Sequence, residues 1–409
     1  MDAAAVGSIA AWATRAGLEG MAEPELVRGF CERVVAAGIP LARVNLFVDT
    51  LHPVHEGHLF RWRRDPADAE AARPSEYARS ETSAEVWRRS PFHYLLQSGG
   101  ALLRRNLARG DPADFTILED IAAEGHTDYV ALIHRFAAEG AIGDMDCVYS
   151  SWCTDAPGGF ADAEVAALVE MTPPLALAVK AAALARIAGT LVETYLGRDA
   201  GRRVLSGRIE RGVADRIHAV LWFSDLRGFT RITDASAPEQ IIPLLNGYAD
   251  AVVSAVHEAG GDVLKLIGDG TLAIFKADEP AAACSCALTA EASARERITA
   301  LNERRAADGL PVTQAYLGLH LGEVFYGNIG SRDRLDFTVV GPAVNETSRI
   351  ATLCRSVERD VLLSEAFAAA AAPEDRARFV SVGRFALRGV GRAQELFTLE
   401  HGDGRLDRG

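Results

Sequence analysis

The sequence predicts an α+β protein with more than one domain. Its 409 residues exceed what a single core ordinarily holds, which favours two domains joined by a connector. In some stretches apolar residues recur at helical spacing, as Leu26, Phe30 and Val34 do. In others, such as 42–50 (ARVNLFVDT), they alternate with polar residues, as in a half-buried strand. Helical and strand patterns interspersed in this way predict sheets that are covered by helices.

Composition and charge argue against several classes of function. The formal net charge of -13 disfavours non-specific binding to nucleic acids or anionic membranes. The N-terminus lacks the basic region and apolar core of a signal peptide, and the six cysteines show no metal-finger spacing. Charged residues and the Pro173-Pro174 pair interrupt the most apolar region, so no run is expected to reach membrane-spanning length. We therefore expect a cytoplasmic protein whose partners are small molecules or a second copy, with no nucleic acid and no membrane.

The first 174 residues combine short helical and strand patterns. Helical patterns cover 1–38, 92–96 and 102–107, strand patterns cover 42–50, 58–63 and 147–154, mixed signals cover 114–124 and 128–138, and 64–83 is a polar loop. The last strand pattern ends in Pro157-Gly158-Gly159, and a helix begins at Phe160-Ala161-Asp162-Ala163-Glu164. This succession resembles a GAF-like or PAS-like sensor domain over residues 1–174, which implies an unidentified small-molecule ligand. The histidines at 52, 55 and 58 fit no familiar metal or haem frame, so surface or hydrogen-bonded histidines are expected.

A helical connector is predicted for residues 175–214. Leu177, Leu184 and Leu191 lie seven residues apart, and Ile187 occupies an adjoining position. This spacing suits a short two-stranded coiled coil. A single helix buried in its own domain would show the same pattern, so both interpretations stay open.

Residues 215–401 form the second predicted domain, and 402–409 a flexible tail. Ser236 to Glu239 (SAPE) fits a capping box that opens an amphipathic helix. Further helices are expected at 281–305 and 344–353, and strands at 219–223, at 262–275 around a turn, at 313–321, at 336–340, near 361 and at 395–399. Helices packed on a sheet with antiparallel strands predict an α+β sandwich with a ferredoxin-like core.

Two aspartates are expected to meet in this domain. Residues 262–275 (DVLKLIGDGTLAIF) read as a strand, a tight turn that holds Asp269, and a second strand, while strand 219–223 ends just before Asp225. If these strands are neighbours, the two carboxylates converge and repel each other unless a cation lies between them. Hard oxygen ligands favour Mg²⁺ or Mn²⁺. Singly, Asp225 could instead cap the next helix, and Asp269 could merely serve the turn.

Four motifs in this half of the chain carry a family resemblance. They are Phe223-Ser224-Asp225-Leu226-Arg227-Gly228-Phe229-Thr230, Lys265-Leu266-Ile267-Gly268-Asp269, Gly327-Asn328-Ile329-Gly330 and Asn345-Glu346-Thr347-Ser348-Arg349. In this order and approximate spacing they resemble the successive motifs of class III nucleotidyl cyclases, over roughly residues 215–400. The resemblance implies that the 3′-hydroxyl of a nucleotide attacks its own α-phosphate, and that Asp225 and Asp269 hold two Mg²⁺ or Mn²⁺ ions per site.

The resemblance assigns base recognition to Lys265 and Thr338. A lysine ammonium donates to adenine N1, whereas guanine N1 is itself a donor, and the Thr338 hydroxyl can accept from the adenine 6-amino group. This pair therefore favours ATP over GTP as the substrate. Taken singly, a surface lysine and a threonine selected for strand propensity would look the same.

Other matched positions would bind the rest of the nucleotide. Asn345 and Arg349 lie four apart on one predicted helical face, where Asn345 would orient the ribose and Arg349 would stabilise charge at the phosphorus centre. The candidates for binding the phosphates are the turn residues Gly228, Phe229 and Thr230, together with Arg388. Backbone N–H groups at a strand-to-helix turn can cradle phosphate oxygens.

The same resemblance implies a homodimer with two composite sites. The metal aspartates and base readers of one subunit would face Asn345 and Arg349 of the other. The N-terminal domain would then regulate activity by altering the angle between the two catalytic domains. Rival hypotheses are a guanylate cyclase, a diguanylate cyclase, which Gly260-Gly261-Asp262 matches in part, and a catalytically inactive nucleotide-binding module.

Overall fold

The chain forms two compact units, Met1–Leu191 and Val192–Gly409. The structure is a computed structural model that describes residues 2–53, 55–65, 75–78, 81–136, 143, 145–388 and 390–400. The predicted tail 402–409 and much of the predicted loop 64–83 lie outside the described residues.

The first unit is a six-stranded antiparallel sheet with helices. Its elements are α1 (Ala3–Leu18), α2 (Glu23–Ala36), β1 (Leu41–Asp49), β2 (His55–Arg63), β3 (Ser75–Ala78), α3 (Glu81–Arg88), α4 (Pro91–Ser98), β4 (Leu102–Arg105), α5 (Thr116–Ala123), β5 (Asp128–Arg135), β6 (Cys147–Thr154) and α6 (Asp162–Leu196), whose last residues fall in the second unit. The strand order is β3-β2-β1-β6-β5-β4. The helical prediction for 102–107 was wrong because Leu103 pairs with Ala131 of β5 and is buried beneath α4 and α5.

Strand alternation gives this sheet two buried faces. Val44, Leu46 and Val48 of β1 face a core that they share with α1, α2 and α6. Phe47, between them in sequence, faces the opposite core, which is covered by α4 and α5. Helices on both faces explain why the strands of this unit are so apolar.

The helix α6 corrects one expectation from the sequence. It runs unbroken through Pro173 and Pro174, and a window of it reaches a mean hydropathy of 1.7, so by length and composition it could cross a membrane. The expectation that no segment reaches that length was therefore wrong, because the two prolines do not end the helix. One third of the window is buried within the structure, where Met171, Leu175 and Val179 pack in the core of the first unit.

The leucine repeat of α6 is not uniformly exposed. Leu184 and Leu191 pack against the core of the first unit, and Ile187 is buried in it, as expected for a helix buried in its own domain. Leu177 is 65% exposed and remains available to a partner helix. Two of the three leucines in the repeat, Leu184 and Leu191, therefore pack within the first unit.

The second unit contains an eight-stranded sheet. Its elements are α7 (Arg198–Leu205), β7 (Ala214–Leu226), α8 (Phe229–Ala235), α9 (Pro238–Glu258), β8 (Asp262–Ile267), β9 (Gly270–Lys276), α10 (Pro280–Ala307), β10 (Ala315–Gly330), β11 (Leu335–Val340), α11 (Pro342–Ser356), β12 (Val361–Ser364), α12 (Glu365–Ala370), α13 (Pro373–Arg376), β13 (Phe379–Phe385) and β14 (Gln394–Leu399). The strand order is β13-β14-β12-β10-β7-β9-β8, and β11 pairs with β10. The central order β10-β7-β9-β8, with α9 and α10 as crossovers, is a βαββαβ unit, so the α+β class and the ferredoxin-like core are confirmed.

One predicted cap does not form. Ser236 ends the short helix α8 in an extended conformation, and α9 begins after Ala237, which offers no side-chain cap. The capping-box prediction at Ser236 was wrong because an unpredicted helix precedes α9 and takes that serine as its C-terminal residue. Pro238 in the first turn of α9 supplies the start signal instead.

The two faces of this sheet carry different helices. Val220 and Trp222 of β7 face α9, α10 and α12, whereas Ala219 and Leu221 face α7 and α11. Gly318 of β10 lies under α11, and a Cβ at Gly318 would be 2.7 Å from the backbone nitrogen of Ala351. This close approach fixes the height of α11 above the sheet.

Candidate active site

The structure brings Asp225 and Asp269 together. Strand β7 pairs with β9 so that Ser224 lies opposite Thr271, which directs Asp225 to the turn between β8 and β9. The Asp225 and Asp269 carboxyl groups lie within hydrogen-bonding reach of each other. Burial, followed by the hydrogen bond and charge of Asp269, raises the pKa of Asp225 to about 7. The predicted convergence of the two carboxylates is therefore present.

A two-residue turn presents Asp269. Ile267 pairs with Gly270, which leaves Gly268 and Asp269 as the central residues of the β8–β9 hairpin. Gly268 has a φ of 63°, a value that two-residue hairpins require at this first central position and that glycine adopts without strain. Asp225 does not cap α8, since Gly228 occupies the N-cap position.

A buried polar network supports the aspartate pair from below. The Ser224 hydroxyl accepts hydrogen bonds from Tyr248 Oη at 2.8 Å and Trp222 Nε1 at 2.9 Å. Burial raises the pKa of Tyr248, so its hydroxyl stays protonated and keeps donating. Sequence reasoning missed this network: Tyr248 reads as one more apolar residue on the α9 face. The one signal in the sequence was Ser224, a polar residue two positions after Trp222 and therefore on the same face of the predicted strand.

The aspartate pair has the chemistry of a divalent-cation site. Mg²⁺ is commonly held by one or two carboxylates and takes its remaining ligands from water and substrate phosphates. In the part of the chain that the structure describes, no group of three or more His, Cys, Asp or Glu residues could hold a metal by itself. An ion held by Asp225 and Asp269 alone would therefore have to take its remaining ligands from water or from a bound molecule.

The candidate base readers lie on β8 and β11, two strands that do not pair with each other but are connected by an ion pair. A register shift between Val263 and Lys265 places Lys265 opposite Leu272, and its ammonium pairs with the Asp336 carboxylate of β11. Thr338 lies two residues beyond Asp336 on the same side of that strand and is half-buried. Lys265 and Thr338 thus both belong to the β8–β11 region, and Asp336 joins them there.

Asn345 and Arg349 line one cavity on α11. Its volume is about 450 Å³, and its lining residues are Gly341, Pro342, Asn345, Glu346, Arg349 and Val390. Arg388 is exposed; it follows buried Leu387 and precedes Val390, a partly buried residue that lines this cavity. Among the described residues, no hydrogen bond or ion pair links Asn345 or Arg349 to Asp225 or Asp269. By position in the fold, the predicted site residues fall into two groups, one at the end of β7 and the β8–β9 turn, and one on α11.

The turn 228–230 begins α8. Gly228 has a φ of 68°, and its carbonyl accepts from the N–H groups of Arg231 and Ile232. Gly228 and Thr230 are exposed, whereas Phe229 packs against the core beneath α9. The backbone of this turn is accessible beside Asp225, and the Phe229 side chain has a structural role.

A buried histidine supports the first turn of α11. His320 Nδ1 lies 2.9 Å from Ser364 Oγ, and His320 Nε2 lies 3.3 Å from the Glu346 carboxylate. Burial lowers the pKa of His320. Glu346 follows Asn345 in sequence and lines the same cavity. Sequence reasoning missed this pair because its members come from β10 and α11.

The N-terminal histidines make local contacts. His52 Nδ1 accepts from the His55 backbone N–H at 3.3 Å, and His55 Nε2 lies 2.8 Å from Glu76. Burial lowers the pKa of His58. Two of the three histidines are thus hydrogen-bonded to near neighbours, as expected.

Comparison with known proteins identifies the second half of the chain. Residues 214–401 match the family model described as Adenylate and Guanylate cyclase catalytic domain. The chain is 34% identical over 161 residues to an adenylate cyclase of Anabaena cylindrica, covering 38% of this chain and 31% of that protein. It is 29% identical over 213 residues to adenylate cyclase 1 of Rhizobium meliloti, covering 50% of this chain and 31% of that protein.

A solved structure, the adenylyl cyclase CyaB from P. aeruginosa, is 24% identical with a TM-score of 0.42, over 48% of this chain and all of that one. The chain spans about a third of the length of the two curated relatives. The family-model match falls on the ferredoxin-like unit and includes both groups of candidate site residues. Residues 214–401 therefore form a catalytic domain of the adenylate and guanylate cyclase type, that is, a class III nucleotidyl cyclase domain.

Proposed function

We propose that this protein is an adenylate cyclase that converts ATP to 3′,5′-cyclic AMP and pyrophosphate in a homodimer. The observation that carries the proposal is the convergence of Asp225 and Asp269, which strand pairing brings together and in which burial and the second carboxylate raise the pKa of Asp225 to about 7. Such a pair is costly for the fold unless a cation compensates it. A carboxylate pair without a protein cation is therefore expected at a site where a bound metal ion takes part in the reaction.

Four of the candidate residues would each have a different role in the ring-closing reaction. The bond between the 3′-oxygen and the α-phosphorus forms, the bond to pyrophosphate breaks, and the hydroxyl proton is lost to solvent. Asp225 and Asp269 would hold two Mg²⁺ or Mn²⁺ ions, which lower the pKa of the hydroxyl and neutralise the leaving group. Asn345 would orient the ribose, and Arg349 would stabilise the charge that develops at phosphorus.

The remaining candidates would hold the nucleotide. The backbone of Gly228, Phe229 and Thr230 would receive phosphate oxygens beside Asp225, and Arg388 would neutralise the triphosphate from the opposite group. Lys265 and Thr338 would read adenine, since the ammonium can donate to adenine N1 but meets a donor at guanine N1. A guanylate cyclase is the second candidate, because the matching family model covers both activities.

The two-group arrangement supports a shared site. Among the residues that the structure describes, no hydrogen bond or ion pair connects Asp225 or Asp269 to Asn345 or Arg349. Large apolar side chains are exposed near the first group, with Leu266 at 56% and Ile267 at 46%, and on the β10–β11 arm, with Phe325 at 51% and Val340 at 41%. Exposed apolar residues of this kind mark surfaces that a partner covers, and a second copy would also bring the missing group.

We assign the first unit a regulatory role in the cytoplasm, with a small molecule as its ligand. What supports this is a separate compact unit, with a sheet covered by helices on both faces, that shares helix α6 with the catalytic unit. The ligand and the sign of regulation stay predictions, as does the sensor type.

The decisive experiment is a product assay on the purified full chain. ATP and GTP are each supplied with Mg²⁺ and with Mn²⁺, and the products are identified by mass spectrometry. We expect cyclic AMP from ATP and a kcat/KM for GTP that is at least tenfold lower. An excess of cyclic GMP, formed from GTP, would favour the guanylate cyclase. Metal binding without any turnover would favour the inactive nucleotide-binding module.

A further inference from the structure

One buried contact of the second unit lies beside two of the proposed catalytic residues and has no role in the chemistry assigned so far. His320 of β10 contacts Glu346 of α11, and Glu346 lines the same cavity as Asn345 and Arg349. We propose that His320 is a positioning residue, which holds the Glu346 carboxylate away from the Arg349 guanidinium and thereby keeps that cation available to the phosphates. This inference rests on the proposed function and adds a residue to it.

His320 is buried between the sheet and α11. Gly318 and Gly322 lie two residues before and after it on β10, so both face the same helix. A Cβ at Gly322 would be 2.6 Å from the Ala343 Cβ and 3.0 Å from His320 Nε2. The two glycines therefore let α11 approach the strand closely, and the imidazole between them reaches the first turns of the helix.

The neighbours of His320 determine which ring nitrogen carries the proton. Burial lowers the pKa of His320, so the imidazole is neutral at neutral pH and has a single N–H. A carboxylate only accepts, so Nε2, which lies 3.3 Å from Glu346, is the donor. Nδ1 then accepts from the Ser364 hydroxyl at 2.9 Å, while the Ser364 oxygen accepts from the Phe367 N–H at 3.1 Å. The imidazole is thus held from both sides.

Arg349 is the alternative partner of Glu346. Residues three apart lie on the same helical face, where opposite charges pair readily. Both side chains line one cavity, yet in the described part of the chain Arg349 takes part in no ion pair. A carboxylate that turned from His320 to Arg349 would neutralise the cation that we expect to stabilise charge at phosphorus. The hydrogen bond from Nε2 therefore keeps the two opposite charges of α11 apart.

The position of α11 does not depend on this contact. The helix packs on the sheet through a separate set of buried residues, namely Ala343, Thr347, Ile350, Ala351 and Cys354. The Glu346 side chain keeps 21% of its surface exposed, so it can turn toward Arg349 while its backbone stays in the helix. Loss of the histidine is therefore expected to change the direction of one carboxylate more than the packing of α11.

The test measures kcat and KM for ATP in the full-length protein carrying His320→Leu, Glu346→Gln or both. We expect His320→Leu to lower kcat about tenfold and to change KM less than about threefold, because Arg349 acts on charge that develops in the transition state. Glu346→Gln removes the competing charge and should keep kcat within about threefold of wild type. The double variant should return to that level, since a neutral amide cannot neutralise Arg349.

Two conservative variants separate positioning from folding. An asparagine places its amide near the former Nδ1 and a glutamine near the former Nε2, so only His320→Gln can still donate to Glu346. His320→Gln should recover part of the lost kcat, and His320→Asn should not, which also replaces the leucine variant if that one fails to fold. His257→Leu is the matched control: it removes a half-buried histidine of α9 whose Nε2 has no hydrogen-bond partner among the residues described, and it should leave kcat unchanged.

An unchanged kcat in both His320→Leu and His320→Asn, or a loss that Glu346→Gln does not restore, would overturn the inference. A large loss in Glu346→Gln alone would also overturn it, because Glu346 would then take part in the reaction itself. Failure of the proposed function is a different result, namely no cyclic AMP from the wild type. In that case a crystal structure of His320→Asn decides: the inference requires the Glu346 carboxylate within about 4 Å of the Arg349 guanidinium, and a carboxylate directed elsewhere contradicts it.

Discussion

Each unit contains a cluster built around aspartate, and the two clusters are compensated in opposite ways. Asp128 of the first unit is fully buried and accepts from Arg104 Nη2 at 2.8 Å, from Asn106 Nδ2 at 3.2 Å and from the Phe160 N–H at 3.0 Å. Every one of these partners belongs to the same unit, so the charge is neutralised by the fold. Asp128 therefore joins the end of the sheet to the start of α6.

The Asp225 and Asp269 pair of the second unit has no such cation. Each carboxyl group faces the other, and no ion pair to either is present among the described residues. A protein keeps a buried charge cheaply only when it is paired. The comparison teaches that compensation, more than burial, distinguishes an aspartate that the fold neutralises from one that lacks a partner cation, as expected if Asp225 and Asp269 bind a metal ion as we propose.

The largest expected effect is on turnover. Asp269→Asn should lower the rate of cyclic AMP formation by about a thousandfold, because a neutral amide cannot hold a divalent cation beside the substrate. Circular dichroism should show an unchanged fold. Asp250→Asn, at an exposed position on α9, is the matched control and should retain wild-type activity. Wild-type turnover in Asp269→Asn would refute the functional side of the comparison.

The next effect is on stability. Asp128→Asn should lower the free energy of unfolding of the first unit by about 3 kcal/mol, because it leaves Arg104 in a partly buried site without its main charge partner. Urea denaturation followed by tryptophan fluorescence measures this loss, since Trp152 is buried in that unit. A change below about 0.5 kcal/mol, the size expected of a surface site, would mean that Asp128 is not a structural centre.

Mixing two inactive variants tests the shared site. Asp225→Ala and Arg349→Ala damage different groups, so a mixed dimer retains one intact site. If subunits exchange freely, half of the dimers are mixed and about a quarter of wild-type activity should return. Size-exclusion chromatography with differently tagged subunits establishes that exchange has occurred. No recovery in exchanged samples would place all the catalytic residues within one chain.

The smallest effect concerns pH. The pKa of Asp225 is raised in the folded state, so between about pH 4 and pH 7 the folded protein binds more protons than the unfolded chain, and stability falls as the pH rises. Without divalent metal, Asp225→Asn should therefore be more stable than wild type at pH 8. The gain should be about 1 kcal/mol, because the half-exposed carboxylate is screened by water.

Thermal unfolding in a chelator at pH 5 and pH 8 checks this sign. Added Mg²⁺ should raise the melting temperature of the wild type and leave that of Asp225→Asn unchanged. A variant that is less stable than wild type at pH 8 would show that Asp225 is compensated by the fold after all.

The convergence of Asp225 and Asp269 could be predicted from sequence because its signals are local. A strand end and a glycine-bearing turn fix each residue, and the order of the motifs supplies the pairing. The strand at 102–105 could not be predicted in the same way, because it is a strand only through pairing with β5. Asp128 and Asp336 escaped notice because their partners lie far away in sequence, and no local pattern records a hydrogen bond across 71 residues.

The close contact at Gly318 has a consequence for how variants of this protein should be interpreted. A methyl group there would collide with the backbone of Thr347 and Ala351, each 2.7 Å from the added carbon, and neither neighbour is a flexible side-chain tip. Helix α11 would have to move away from the sheet, and Asn345 and Arg349 would move with it. The substitution Gly318→Ala would thus lower activity although residue 318 does not contact the nucleotide. A screen that measures only turnover would wrongly assign Gly318 to the catalytic residues.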